Sequence, residues 1–128
     1  MDGSHRATII KDSVHWPNGI TIDIAMNRVF WADAKLNIVG SADLDGANSR
    51  IVFYSKEKLK HPFSITVFED MMYWSDWHKN TIFAANKFNG SDVRTVTPNM
   101  VRLGHFLRIE RSTNFKPRLM LQFVESIS

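Results

Sequence analysis

The tetrad Phe30-Trp31-Ala32-Asp33 returns 43 residues later as Tyr73-Trp74-Ser75-Asp76. No other feature constrains the fold as much, because a repeat near this period marks one supersecondary unit stacked on copies of itself. Two further landmarks recur in the same order. Trp16-Pro17-Asn18-Gly19-Ile20-Thr21-Ile22 is echoed by His61-Pro62-Phe63-Ser64-Ile65-Thr66-Val67. Asp2-Gly3-Ser4-His5-Arg6 is echoed by Asp45-Gly46-Ala47-Asn48-Ser49-Arg50 and by Asn89-Gly90-Ser91-Asp92-Val93-Arg94.

Within each unit the period is two. Ile20, Ile22 and Ile24 alternate with Thr21 and Asp23, and short aromatic or β-branched runs follow at 28–31, 37–42 and 50–54. Pro17-Asn18-Gly19, Met26-Asn27 and Asp45-Gly46 separate them as turn signals. The first unit therefore predicts four strands, and the second predicts strands near 64–68, 71–74, 80–85 and 93–97. Arg6 to Ile10 reads as the last strand of a preceding unit. Four-stranded antiparallel units at this period are β-propeller blades. The fold class expected is all-β, a partial propeller of about two blades over residues 1–97, with a divergent tail at 98–128 that carries no further tetrad.

The chain has 128 residues and no cysteine, so it has neither a disulfide framework nor a thiolate metal site. No apolar run is long enough for a membrane helix, and Met1 opens on Asp-Gly-Ser-His-Arg, without the apolar core of a signal peptide. The net charge of +3 lies in the tail: residues 1–100 hold 11 Lys+Arg against 11 Asp+Glu, and the remainder holds five bases against two acids. An evenly charged body leaves no nucleic-acid footprint.

Unlike WD40 units, these have no Gly-His before the unit, and Trp and Asp stand two apart. The strings WPNGITID, FWADAKL, ADLDG, HPFSITVFED, YWSDW and AANKFNG resemble the YWTD repeat, the class B repeat of the low-density lipoprotein receptor family, across residues 2–97. Phe30 stands where that family has Tyr, and Ala32 and Ser75 where it has Thr. The resemblance implies a six-bladed propeller on the extracellular side of a type I membrane receptor, flanked by cysteine-rich EGF-like modules. Only about two blades are present, so the chain reads as a fragment with open faces and bare edge strands. The function implied is a non-catalytic protein-ligand-binding or scaffold segment of an endocytic or signalling receptor, with no cofactor and no bound metal. Its partners would be an extracellular protein ligand and the missing blades and modules.

The repeated residues read as structural. Trp31 and Trp74 would fill the gap between blades while their indole N–H finds an acceptor. Asp33 and Asp76 share the tryptophan face and can accept backbone N–H groups. A catalytic centre on a repeat scaffold is unique rather than copied, so these aspartates are not read as catalytic. Residues 17–19 and 61–63 read as tight rim loops in which Asn-Gly accepts positive φ. Asp45-Gly46 and Asn89-Gly90 read as hairpin turns between outer strands.

Three features carry the functional expectation. Trp77 with His78 and Lys79 would form an exposed ligand-facing loop, matched in the first unit by Ala34-Lys35; the plainer alternative packs Trp77 on the adjacent blade. His61 is a candidate pH sensor, since the resemblance associates a histidine here with acid-triggered ligand release; a second position associated with it falls on Asn37, which does not titrate. The plainer alternative makes His61 a loop cap. Asn89-Gly90-Ser91 is an N-glycosylation sequon, so Asn89 is a candidate glycan acceptor. His5, His15, His61, His78 and His105 form no close sequence pair of the metal-binding kind. The rival reading from another class is a six-bladed calcium-dependent lactonase, whose Pro-Asn-Gly and following Asp would be Pro17-Asn18-Gly19 and Asp23; its site needs several oxygens converging on the channel. An extracellular matrix propeller is the third.

Overall fold

The computed structural model describes residues 3–4, 6–78 and 80–96. Eight strands form two antiparallel sheets of four. The first holds β1 (Pro17–Asp23), β2 (Arg28–Asp33), β3 (Ile38–Asp43) and β4 (Arg50–Tyr54), in that spatial order. The second holds β5 (Pro62–Phe68), β6 (Met71–Asp76), β7 (Thr81–Asn86) and β8 (Arg94–Val96) in the same order. Each sheet is a meander of hairpins, so every strand pairs with its neighbour in sequence. These are two propeller-type blades packed face to face. The expected tail, 98–128, and Lys79 lie outside the described residues, as do His5 and His105.

The two sheets copy each other down to their irregularities. β1 pairs with β2 from Pro17↔Asp33 to Asp23↔Arg28, with a register shift between Pro17 and Gly19. β5 pairs with β6 from Pro62↔Asp76 to Phe68↔Met71, with the same shift between Pro62 and Ser64. The expected rim loops at 17–19 and 61–63 are therefore bulged first turns of the inner strands. Neither Asn18 nor Gly19 takes a positive φ. Gly19 is needed for another reason: a Cβ there would sit 3.0 Å from the Ile65 nitrogen and the Ser64 Cα, so the two inner strands approach too closely for a side chain.

The main core lies between the sheets. Phe30, Ala32, Val39 and Val52 of the first blade share a buried cluster with Ile65, Met72, Trp74 and Phe83 of the second, with Leu59 of the connection fully buried among them; Tyr73 and Ile82 belong to the same cluster from the other face of β6 and β7. Phe53 and Trp74 lie 5.3 Å apart across the blades. Since Cβ atoms alternate along a strand, Val29 and Trp31 face the other way and pack on Ile10 and Val14. Each repeat tryptophan thus faces the segment that precedes its blade. Each also donates its indole N–H to that segment, Trp31 to the Ser13 carbonyl at 3.2 Å and Trp74 to the Lys58 carbonyl at 2.7 Å.

One expectation is corrected, and one pattern is given its orientation. Arg6 to Ile10 forms no strand, because no described strand lies beside it to complete a ladder; it runs along the first blade and buries Ile10 on Val29 and Trp31. The alternation in β1 is real, but its buried member is Asp23, while Ile20 is 72% and Ile22 55% exposed. Thr21 and Asp23 lie on the face turned towards the second blade, where Asp23 meets Lys87. The isoleucines occupy the positions that Ile65 and Val67 take in the second blade. There the same face is covered by the first blade.

The Phe30/Tyr73 difference has a measurable consequence. Both rings are buried. Burial pushes the Tyr73 hydroxyl above its ordinary range; the Glu69 charge adds to this, while the Arg94 charge and its hydrogen bond oppose it. An unfolded phenol ionises at about pH 10, before the folded one does. The Tyr73 contribution to stability is therefore complete below about pH 10 and is lost as pH rises through the higher folded value. Alkaline unfolding followed by circular dichroism should begin at higher pH in Tyr73→Phe than in the parent. Coincident curves would show that the phenol plays no part.

Candidate functional site

The rim formed by the starts of β1 and β5 and the ends of β2 and β6 holds most of the residues expected to function. Asp33 and Asp76, the last residues of β2 and β6, are both fully buried. Asp33 accepts the backbone N–H groups of His15 and Trp16 on Oδ2, at 2.6 and 2.9 Å, and those of Lys35 and Leu36 on Oδ1, both at 2.9 Å. Asp76 accepts from His61 on Oδ2 at 3.1 Å and from His78 on Oδ1 at 2.8 Å. Each carboxylate ties the approach to the inner strand to the loop leaving the second strand. A backbone bond closes the same pair: Ala34 N–H donates to the Trp16 carbonyl, and Trp77 N–H to the His61 carbonyl, each at 3.0 Å. The Asn18 side chain donates to the Pro62 carbonyl at 3.0 Å and joins the two inner strands at this rim.

On this clamped backbone the second blade displays an aromatic platform. Trp77 is 55% exposed and stacks on Phe63, itself 41% exposed, with centroids 4.6 Å apart and planes 18° apart. Trp77 therefore packs within its own blade and keeps most of its surface in solvent. The His61 and His78 rings lie 6.2 Å apart. In the first blade Trp16 takes the place of His61, 58% exposed, and the Lys35 ammonium sits 5.2 Å over its ring. Asn37, Lys56, Glu57, Lys60 and His78 line an adjoining depression of about 430 Å³. Asn37 is committed to structure there: its amide donates to the Ala34 and Leu59 carbonyls at 3.2 and 2.8 Å.

Sequence reading did not single out Trp16 or Phe63 as members of this rim, nor the closeness of His61 and His78. Trp16 stood in the recognised Trp-Pro/His-Pro echo, and its equivalence to His61 was the signal available. The closeness of His61 and His78 had no sequence signal, because 17 positions separate them; both backbones must first be drawn to one carboxylate. Among the described residues, no group of three or more His, Cys, Asp or Glu side chains is placed to hold a metal ion. Asp23, the acid that the lactonase alternative requires, is paired with the Lys87 ammonium at 2.6 Å.

Comparison with known proteins places this geometry. The family model described as low-density lipoprotein receptor repeat class B matches residues 1–24 and 27–69. The vitellogenin receptor Yl of Drosophila melanogaster is 44% identical over 94 residues, which cover 73% of this chain and 5% of that protein. The vitellogenin receptor of Solenopsis invicta is 39% identical over 99 residues, covering 77% and 5%. The chain thus spans about 5% of the length of the curated relatives it matches. Among solved structures, virginiamycin B lyase from Staphylococcus aureus aligns over 64% of this chain and 27% of that one, with TM-score 0.50 and 18% identity. At that identity the likeness concerns the fold alone, and it is propeller-type.

Proposed function

This chain belongs to the low-density lipoprotein receptor class B repeat family, and from that premise we propose that it is a non-catalytic, protein-ligand-binding part of the extracellular propeller of an endocytic receptor. The observation that carries the ligand-binding part is the Trp77–Phe63 stack, an exposed aromatic platform held on a backbone that the Asp76 carboxylate fixes. Tryptophan is among the residues enriched at the hot spots of protein interfaces. His78 follows Trp77 in the same loop, Lys35 sits over Trp16 on the rim of the first blade, and the two solvent-exposed tryptophans lie one on each blade. Asp23 is spent on an ion pair between the blades, which argues against a channel metal site of the lactonase kind.

His61 serves this reading as a pH sensor with a partner. Its ring lies 6.2 Å from that of His78, and the backbone N–H groups of both residues are tied to the Asp76 carboxylate that fixes the loop carrying Trp77.

The relatives named vitellogenin receptors supply the probe. Immobilised chain titrated with purified vitellogenin should bind it, and Trp77→Ala should weaken binding by about 30-fold, the scale of an interface hot spot. His61→Gln should flatten the difference between neutral and acidic buffer. Equal affinity of the parent and Trp77→Ala would remove the platform from the interface.

A further inference from the structure

We propose that Asn89 is a built N-glycan acceptor on the side of the blade opposite the aromatic rim. The inference rests on the extracellular reading above, since the donor, a polyprenyl-diphosphate-linked oligosaccharide, is met only along the secretory route. The Asn89 amide nitrogen attacks the anomeric carbon of the donor's first sugar. The C–N bond forms as the carbon–oxygen bond to the diphosphate breaks, the diphosphate leaves, and the amide gives up one proton.

The two blades supply the argument: the outer turn of the second is one residue longer, closing from the Asn86 N–H to the Ser91 carbonyl where the first closes from the Asp43 N–H to the Ala47 carbonyl, yet both fix the turn by the same side-chain bond from a different residue. In the first blade, Asp45 Oδ1 accepts the Ala47 N–H at 2.9 Å. In the second, Asn89 Oδ1 accepts the Ser91 N–H at 3.0 Å. The turn requires an oxygen at this position, and a carboxylate or an amide provides it equally. The Asn89 Nδ2 therefore does no work for the fold, and among the described residues nothing accepts from it. The Ser91 hydroxyl is equally surplus, since Ala47 serves the first blade. Besides one extra residue, the second turn has what the first lacks, the pair of groups that the sequon requires.

The position admits a glycan. Asn89 and Ser91 are exposed. Gly90 takes φ +73°, and a Cβ on it would stand 2.6 Å from the Val52 carbonyl of the first blade. The turn thus leans on the neighbouring blade through the residue that has no side chain. β7 runs from the rim at Thr81 to Asn86 just before this turn, about 17 Å at roughly 3.4 Å per residue. A glycan on Asn89 leaves the Trp77 platform open and covers the far end of the outer strands.

The test directs the full chain into the secretory pathway of insect cells with a cleavable leader and maps peptides before and after enzymatic deglycosylation. The parent should carry a glycan at Asn89. Asn89→Asp and Ser91→Ala, which copy the first blade, should lose it while keeping the parent's far-ultraviolet spectrum and melting temperature. A D45N/A47S double variant installs the sequon in the first turn and reports entry into the lumen. Glycan on that control with none at Asn89 would overturn the proposal. Glycan on the leader-directed parent, but unmodified Asn89 in protein isolated from its native tissue, would overturn the extracellular reading instead.

Discussion

Asp33→Ala should be the most damaging single substitution at the rim. The carboxylate is fully buried and accepts four backbone N–H groups, from His15, Trp16, Lys35 and Leu36. A charged acceptor makes each of these stronger than a neutral hydrogen bond. Truncation leaves several donors without a partner, and each buried orphan costs about 1–3 kcal/mol. Water entering the vacated space would recover part of that, so the expected loss is about 3–5 kcal/mol. Small domains are stable by only about 5–15 kcal/mol, so the variant should lose most of its cooperative unfolding transition. Asp33→Asn keeps the shape and one acceptor oxygen and should lose roughly half as much. A denaturant midpoint for Asp33→Ala within experimental error of the parent's would refute the clamp.

The second large effect is expected at the ion pair that links the blades. Asp23 closes β1 and Lys87 follows β7, 64 residues apart in sequence, with Nζ and Oδ2 separated by 2.6 Å. Their side chains are 6% and 5% exposed. Lys87→Met strands a carboxylate between the sheets, and breaking a buried pair from one side costs about 3–5 kcal/mol. Replacing both partners by apolar residues of similar volume removes the stranded charge. The Asp23→Leu/Lys87→Met double variant should therefore return to near the parent's stability or exceed it. A double-mutant cycle by urea denaturation measures this directly. Losses that simply add would show that the two groups act independently and that the pair does not hold the blades together.

Much of this structure was legible because it is local. The tetrads placed β2 and β6, the turn pairs placed the outer hairpins, and the two-residue spacing of Trp and Asp put both on one face. The roles assigned to those residues follow from chemistry that each carries by itself: an indole N–H needs an acceptor, and a buried carboxylate needs donors. Where the reading failed, the deciding contact was with another element. The isoleucines of β1 form a good strand pattern, yet which face was covered depended on the neighbouring sheet. Asn18-Gly19 has the composition of a positive-φ turn, but the approach of β5 made it a bulge with a space requirement. The segment 6–10 has strand composition without a described strand to pair with.

The sequence by itself determined the repeat, the antiparallel four-stranded unit, the family and the residues that hold each rim loop. All of these arise from periodicity and side-chain chemistry over a few neighbouring positions. Only the tertiary structure decided that Asp23 answers Lys87, that His61 lies beside His78, and that Trp77 stacks on Phe63 while staying half in solvent. Those contacts depend on how two sheets and their loops dock. Docking is set by the sum of packing over the whole interface, a quantity that no short stretch of residues encodes.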